Sequence, residues 1–159
     1  ACGEFAGYGM SSGPMAIAAV VCVLSLKMAA VSSVPAQPQL QRAGAILLMA
    51  LAGRCALIFQ LNLLPYARSE GGLGATFAKT KSWLQAVLAL AILGGTSWWL
   101  LGPAGAAVTA GALLVSCLFA CHCYSKIGGF TGDTLGAACE LTELVPPLVV
   151  AGWTYKVAA

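Results

Sequence analysis

Long apolar runs separated by short polar gaps dominate this chain, and their lengths decide the fold class. Four runs, Pro14–Val34, Ala43–Leu64, Trp83–Leu101 and Pro103–Tyr124, come close to the roughly 20 residues a helix needs to cross a bilayer. A fifth, Leu141–Tyr155, is shorter, and it reaches spanning length only if its helix begins back near Asp133. The polar gaps are residues 1–13, the two-proline turn Pro35–Gln41, the larger loop Tyr66–Ser82 and the segment around Gly128–Gly132. In lipid a helix satisfies its own backbone without closing a barrel. The expected fold is therefore an all-α, polytopic integral membrane bundle of about five transmembrane helices. It is read as a single membrane domain over residues 1–159 that belongs to a longer protein.

Composition agrees with the pattern. The chain is 60% hydrophobic and 8% charged, against roughly 25% charged in ordinary soluble domains. A net charge of +3, scattered along the chain, gives no basic face for nucleic acid. Of the seven cysteines, Cys22, Cys55, Cys117, Cys121 and Cys123 fall inside apolar runs, where cysteine behaves as a small hydrophobe, so disulfides are not expected. If the spans alternate, Arg68, Lys79, Lys81 and Lys126 gather on one side and Arg42 and Lys156 on the other. The positive-inside rule puts the first group, with Asp133, in the cytoplasm. Trp98 and Trp99 then mark the opposite interface, beside the Gly102-Pro103 turn.

Three of the five acidic residues, Asp133, Glu140 and Glu143, sit within or just beyond the run Gly128-Gly129-Phe130-Thr131-Gly132-Asp133-Thr134-Leu135-Gly136. At about 100° per residue, Glu140 lies roughly 20° and Glu143 roughly 80° around a helix from Asp133, so the three share a face. Carboxylates at a helix start beside glycine amides suit a divalent cation and a phosphate together. Gly128, Gly132 and Gly136 also repeat every fourth residue, which is equally a pattern of close helix packing. Arg54 lies in the middle of the second run, where a cation needs a partner. It is open to pairing with Glu140 or Glu143, or to gripping a phosphate. Lys27, nearer an interface, reads as structural. The cluster Cys117, Cys121, His122 and Cys123 does not converge on a helix, which argues against zinc.

Two segments in order, Tyr66-Ala67-Arg68-Ser69-Glu70-Gly71-Gly72-Leu73-Gly74 and Gly129-Phe130-Thr131-Gly132-Asp133-Thr134-Leu135-Gly136-Ala137 with Glu140 to Glu143, resemble the adenosylcobinamide-GDP ribazoletransferase (cobalamin synthase, CobS) family. The resemblance implies an integral membrane, Mg²⁺-dependent transferase that joins adenosylcobinamide-GDP to alpha-ribazole or its 5′-phosphate with release of GMP. It would sit in the inner (cytoplasmic) membrane, with its acidic motif facing the cytoplasm. It further implies Asp133, Glu140 and Glu143 as catalytic residues, with Asp133 and Glu140 on the metal. Arg54, Arg68, Gly72, Gly74, Gly129, Thr131 and Gly132 are implied as substrate or phosphate contacts. The expected partners are the two substrates and the lipid bilayer, with a homo-oligomer or other cobalamin-assembly enzymes left open. The family's upstream signature Asp-Gly-Leu-Ala-Asp-x-x-Asp-Gly is not found in these residues, so further metal ligands are expected elsewhere and turnover by this chain alone is not expected. Two other readings stand beside it. A CDP-alcohol phosphotransferase would carry an aspartate-rich signature, and an ion or proton pathway would need acidic residues at mid-membrane, whereas these are expected near one end of a span.

Overall fold

The computed structural model describes residues 13–34, 39–67 and 81–158. Six helices are described: α1 (Gly13–Ser33), α2 (Gln39–Leu63), α3 (Trp83–Leu101), α4 (Pro103–Ile127), α5 (Gly132–Glu143) and α6 (Val145–Ala158). Gln39–Leu63, Trp83–Leu101, Pro103–Ile127 and Gly132–Lys156 are each long and apolar enough to cross a membrane, and α1 adds a shorter apolar stretch, Ile17–Ser33. The five-span membrane bundle read from the sequence is therefore present.

The last span does begin back at Gly132, but it is broken into α5 and α6 at Leu144. Pro146 and Pro147 explain the break. Neither has an N–H to give to the carbonyls of Thr142 and Glu143, and proline rings clash with the preceding turn. At the other end of the bundle, α3 turns tightly into α4. The Gly102 N–H donates to the Trp98 carbonyl at 2.8 Å, and Pro103 opens the next helix, where its missing donor costs nothing.

Sorting of side chains fits lipid rather than water. The buried positions are mostly small, among them Ala45, Ala52, Ala56, Ala86, Ala89, Ala112 and Ala120, while Ile17, Val20, Leu24, Leu84, Val87, Leu114 and Leu118 face outward. Hydrocarbon gives no reason to hide large aliphatic groups. Close backbone approach through small residues does the packing instead. Trp98 and Trp99 are exposed at the α3–α4 turn, as an interfacial belt requires. The central helix is α2, which packs against α3, α4, α5 and α6, with Leu48, Ala52 and Cys55 meeting Ala89, Leu93 and Ala112 in the main core. Buried polar groups tie helices together: Gln60 Nε2 donates to the Ser116 carbonyl at 3.0 Å, and Ser116 and Thr142 hydroxyls lie 3.4 Å apart. By contrast, α1 lies at the periphery, mainly against α6.

Candidate functional site

The two segments that carried the resemblance are fastened to each other. Tyr66 and Phe130 form a short parallel bridge: the Phe130 N–H donates to the Pro65 carbonyl at 2.9 Å and the Ala67 N–H to the Phe130 carbonyl at 3.0 Å. The two rings stack obliquely at 5.4 Å, and Phe130 is fully buried against Leu64, Ala120 and Cys123. Gly128 ends α4 in the left-handed conformation at φ 72°, a turn glycine enters without strain. Gly129 serves the bridge directly, since a β-carbon there would collide with the Pro65 carbonyl and lie 3.2 Å from the Ala67 nitrogen. Backbone approach is sufficient to account for its small size. At the far end of the Tyr66–Ser82 loop, Lys81 Nζ donates to the Leu64 carbonyl at 2.6 Å and the Ser82 N–H to Asn62 Oδ1 at 3.0 Å. Both ends of that loop are thus held beside the start of α5. Arg68, Gly72 and Gly74 lie outside the described residues.

Helix α5 starts with a reciprocal cap. Thr134 Oγ1 accepts from the Thr131 N–H at 2.8 Å and Thr131 Oγ1 accepts from the Thr134 N–H at 3.4 Å. The Thr131 side chain is therefore occupied with capping, and the Gly132 and Asp133 amides keep no partner within the helix. Asp133 is exposed in the first turn, where a carboxylate favours the helix dipole. A β-carbon at Gly132 or Gly136 would meet nothing within 4 Å. Among the described residues no helix packs on this flank of α5, so helix packing there does not account for the four-residue glycine spacing.

Two turns deeper, the charges pair differently from the sequence expectation. Lys27 of α1 reaches both carboxylates, with Nζ 2.5 Å from Glu140 Oε2 and 2.5 Å from Glu143 Oε2. Cys139 Sγ donates to the other Glu143 oxygen at 3.2 Å. Arg54 is exposed and takes part in no ion pair among the described residues. Its neighbour Gly53 is pressed against α5, for an added β-carbon would lie 2.6 Å from Glu143 Oε1 and 2.7 Å from Cys139 Sγ. Of the two readings left open for Arg54, pairing with Glu140 or Glu143 is not formed, because Lys27 holds both carboxylates.

Depth differs too. Glu143 stands eleven residues past Gly132 in the span Gly132–Lys156, about 16 Å along the axis at about 1.5 Å per residue. It is at mid-span, not near one end as the sequence suggested. Arg54 lies nine residues, about 13 Å, from the Leu63 end of α2. Because the bridge puts that end of α2 beside the start of α5, the two residues share a level in the membrane.

Asp133 and Glu140 face the same way but do not converge. Seven residues of helix separate them by about 10 Å along the axis, while Mg²⁺ binds oxygens at about 2.1 Å. Glu140 is moreover engaged by Lys27. Joint ligation of one ion by this pair, expected from the sequence, does not fit the geometry. No cluster of three His, Cys, Asp or Glu side chains suited to a metal occurs among the described residues. Cys117, Cys121 and His122 are exposed while Cys123 is buried, so that cluster does not converge either. Asp133 alone suits Mg²⁺ in the mode where one carboxylate, substrate phosphate oxygens and water complete the octahedron. Sequence reasoning missed Gly53 and the tie between Lys27 and the glutamates, which have no signal within one helix, and Cys139, whose four-residue spacing from Glu143 on α5 was a signal within one helix.

Comparison with known proteins follows the same lines. The model of the family described as cobalamin-5-phosphate synthase matches residues 10–151. An adenosylcobinamide-GDP ribazoletransferase of Desulforamulus reducens is 34% identical over 131 residues, 82% of this chain and 51% of that protein. Those of Acetivibrio thermocellus and Stutzerimonas stutzeri are 34% and 35% identical, over 82% and 83% of this chain and 52% of each relative. The chain thus spans about half the length of the curated relatives it matches. No solved structure matches. With the matched region running across every helix described above, the chain belongs to the cobalamin-5-phosphate synthase family.

Proposed function

We propose that this chain contributes the phosphate-binding half of a membrane transferase that joins adenosylcobinamide-GDP to alpha-ribazole, or to its 5′-phosphate, and releases GMP. One observation carries the reading: the Tyr66–Phe130 bridge ties the first residues of one signature segment to the start of the other, next to a flank of α5 where a β-carbon on Gly132 or Gly136 would meet nothing among the described residues. In the reaction a ribose hydroxyl attacks the phosphorus attached to the corrinoid side chain. The new P–O bond forms, the bond to the GMP oxygen breaks, and the hydroxyl proton is lost. Such transfers depend on positioning and on neutralising charge. The unpartnered Gly132 and Asp133 amides and the α5 dipole would receive a phosphate at the rim, and Arg54 would receive a second anionic group deeper in. A bound Mg²⁺ would add charge neutralisation on the phosphoryl oxygens, with Asp133 as its ligand from this chain. The excess of Lys and Arg on the Asp133 side supports a cytoplasmic mouth.

The test supplies membranes carrying this chain with the portion of the Desulforamulus reducens relative outside the match, then follows GMP release from adenosylcobinamide-GDP, alpha-ribazole and Mg²⁺. Turnover that depends on both parts, and that falls by most of its value in Asp133→Asn, is expected. Unchanged turnover in Asp133→Asn, or GMP release that does not depend on alpha-ribazole, would refute the proposal.

A further inference from the structure

Around the middle of the membrane the described residues place two cations, Lys27 and Arg54, and two carboxylates, Glu140 and Glu143. The four charges sum to zero, yet they are not shared evenly. Lys27 binds both glutamates at 2.5 Å each, and Arg54 is exposed with no ion pair among the described residues. Nothing about α2 itself keeps Arg54 away from them. Gly53, the adjacent residue, abuts the Glu143 carboxylate, and the flexible arginine stem spans more than the single residue step of about 3.8 Å between neighbouring Cα atoms. At this depth an unsatisfied guanidinium is costly. With Lys27 absent, an arginine at that place closes on the nearest carboxylate.

We infer that Lys27 is a positioning residue: by occupying Glu140 and Glu143 it keeps them off Arg54, and so leaves the Arg54 guanidinium to bind a phosphate group within the membrane. The helix that carries it suits the role. Its outward face, with Ile17, Val20, Val21, Leu24 and Met28, is exposed, and Lys27 provides its charged tie to the bundle among the described residues. Charge-assisted forks of arginine bind phosphate well, but only when no carboxylate already fills them. The identity of the ligand as the activated corrinoid rests on the transferase reading above, whereas the competition between Lys27 and Arg54 for the glutamates does not.

The experiment measures equilibrium binding to the chain in lipid nanodiscs with EDTA present, using adenosylcobinamide-GDP in one arm and inorganic pyrophosphate in the other. Lys27→Met should weaken binding roughly ten- to hundredfold, the value of a charge-assisted hydrogen bond, while Lys27→Arg keeps it. The triple change Lys27→Met with Glu140→Gln and Glu143→Gln removes the competitors and should bring affinity back to the original level. Adding Arg54→Gln to the triple variant should abolish it again. A lysine that only ties α1 to the bundle predicts less folded chain in Lys27→Met but unchanged affinity per folded molecule, so binding is read per folded chain, counted by size-exclusion of the loaded nanodiscs. Should Lys27→Met fail to fold, the triple variant and its Arg54→Gln derivative decide the matter, since they leave no buried charge unpaired on α5. A triple variant as weak as Lys27→Met, or one whose binding ignores Arg54→Gln, overturns the inference, as does failure of the unaltered chain to bind either anion. Binding of pyrophosphate without adenosylcobinamide-GDP would overturn the transferase reading and leave Lys27 to be judged on the pyrophosphate arm.

Discussion

Replacing Gly129 by alanine adds one methyl group at the point where the two signature segments touch. The backbone of Gly129 is not in the left-handed region, so alanine suffers no conformational strain there, and any effect must come from contact. The contact is severe. The new β-carbon would collide with the Pro65 carbonyl, which is backbone and cannot swing aside as a side chain would. Relief requires the strands to part, and parting them lengthens both bridge hydrogen bonds, now 2.9 and 3.0 Å. At a net 0.5 to 1.5 kcal/mol each, the loss is about 1 to 3 kcal/mol.

The matched controls are Gly132→Ala and Gly136→Ala, whose added carbons meet nothing within 4 Å among the described residues. Gly136 lies inside α5, so alanine there should stabilise by up to about 1 kcal/mol through helix propensity. Denaturant titration in mixed micelles reports the free energies, and amide hydrogen exchange reports the bridge locally at Ala67 and Phe130. The expected pattern is a loss of stability and faster exchange at both amides in Gly129→Ala only. Unchanged exchange at Phe130 in Gly129→Ala would refute the bridge as its reason. A loss in Gly136→Ala would restore helix packing as the explanation of the glycine spacing.

Gln60→Leu should change stability by less than about 1 kcal/mol, because the loss of its bond to the Ser116 carbonyl is offset by removing Gln60 Oε1, a buried acceptor without a partner; unfolding in mixed micelles checks it. Cysteines placed at Gln39 and Lys126, in a chain cleared of its own cysteines, should label from opposite faces of sealed vesicles, with the Lys126 position labelled from the cytoplasmic face. Asp133→Asn and Arg54→Gln, which would share one phosphate-bearing substrate, should lower kcat/KM non-additively, with an interaction of about 0.5 kcal/mol or more in a double-mutant cycle in the two-part assay, whereas full additivity would place them on separate ligands.

The spans were legible because an apolar run of spanning length has few other uses, and the start of α5 was legible because carboxylates and glycines crowd there. The break at Leu144 is legible in Pro146-Pro147, which cannot continue a helix without a kink. Pairing was not. Helical periodicity correctly put Glu140 and Glu143 on one face, but a single helix says nothing about which neighbour that face meets. The depth of Arg54 is clear from its own run, which shows that it needs a counter-charge but not which one. Lys27 looked able to reach an interface only because its environment, set by α5 and α6, is absent from its local sequence. The depth of Glu143 misled for a related reason: counting from the apolar run puts it near an end, whereas counting from the Thr131 cap puts it at mid-span.

That change of depth alters what the acidic residues can do. A carboxylate at the rim, such as Asp133, is hydrated and free to meet a cation that arrives with a substrate. Carboxylates at mid-span are stable there only beside a counter-charge, and Lys27 meets both at once. The sequence grouped Asp133, Glu140 and Glu143 as one constellation because they share a helix face. The structure separates them by partner: Asp133 is exposed at the start of α5, while Glu140 and Glu143 are both bound by Lys27. The group without an ion pair at their level, among the described residues, is the cation Arg54, so an exposed carboxylate at the rim stands above one unpaired cation in a level of zero net charge. A ligand bearing phosphates and arriving with a divalent cation would meet complementary charge at both levels, which neither a lone ion nor a proton would need.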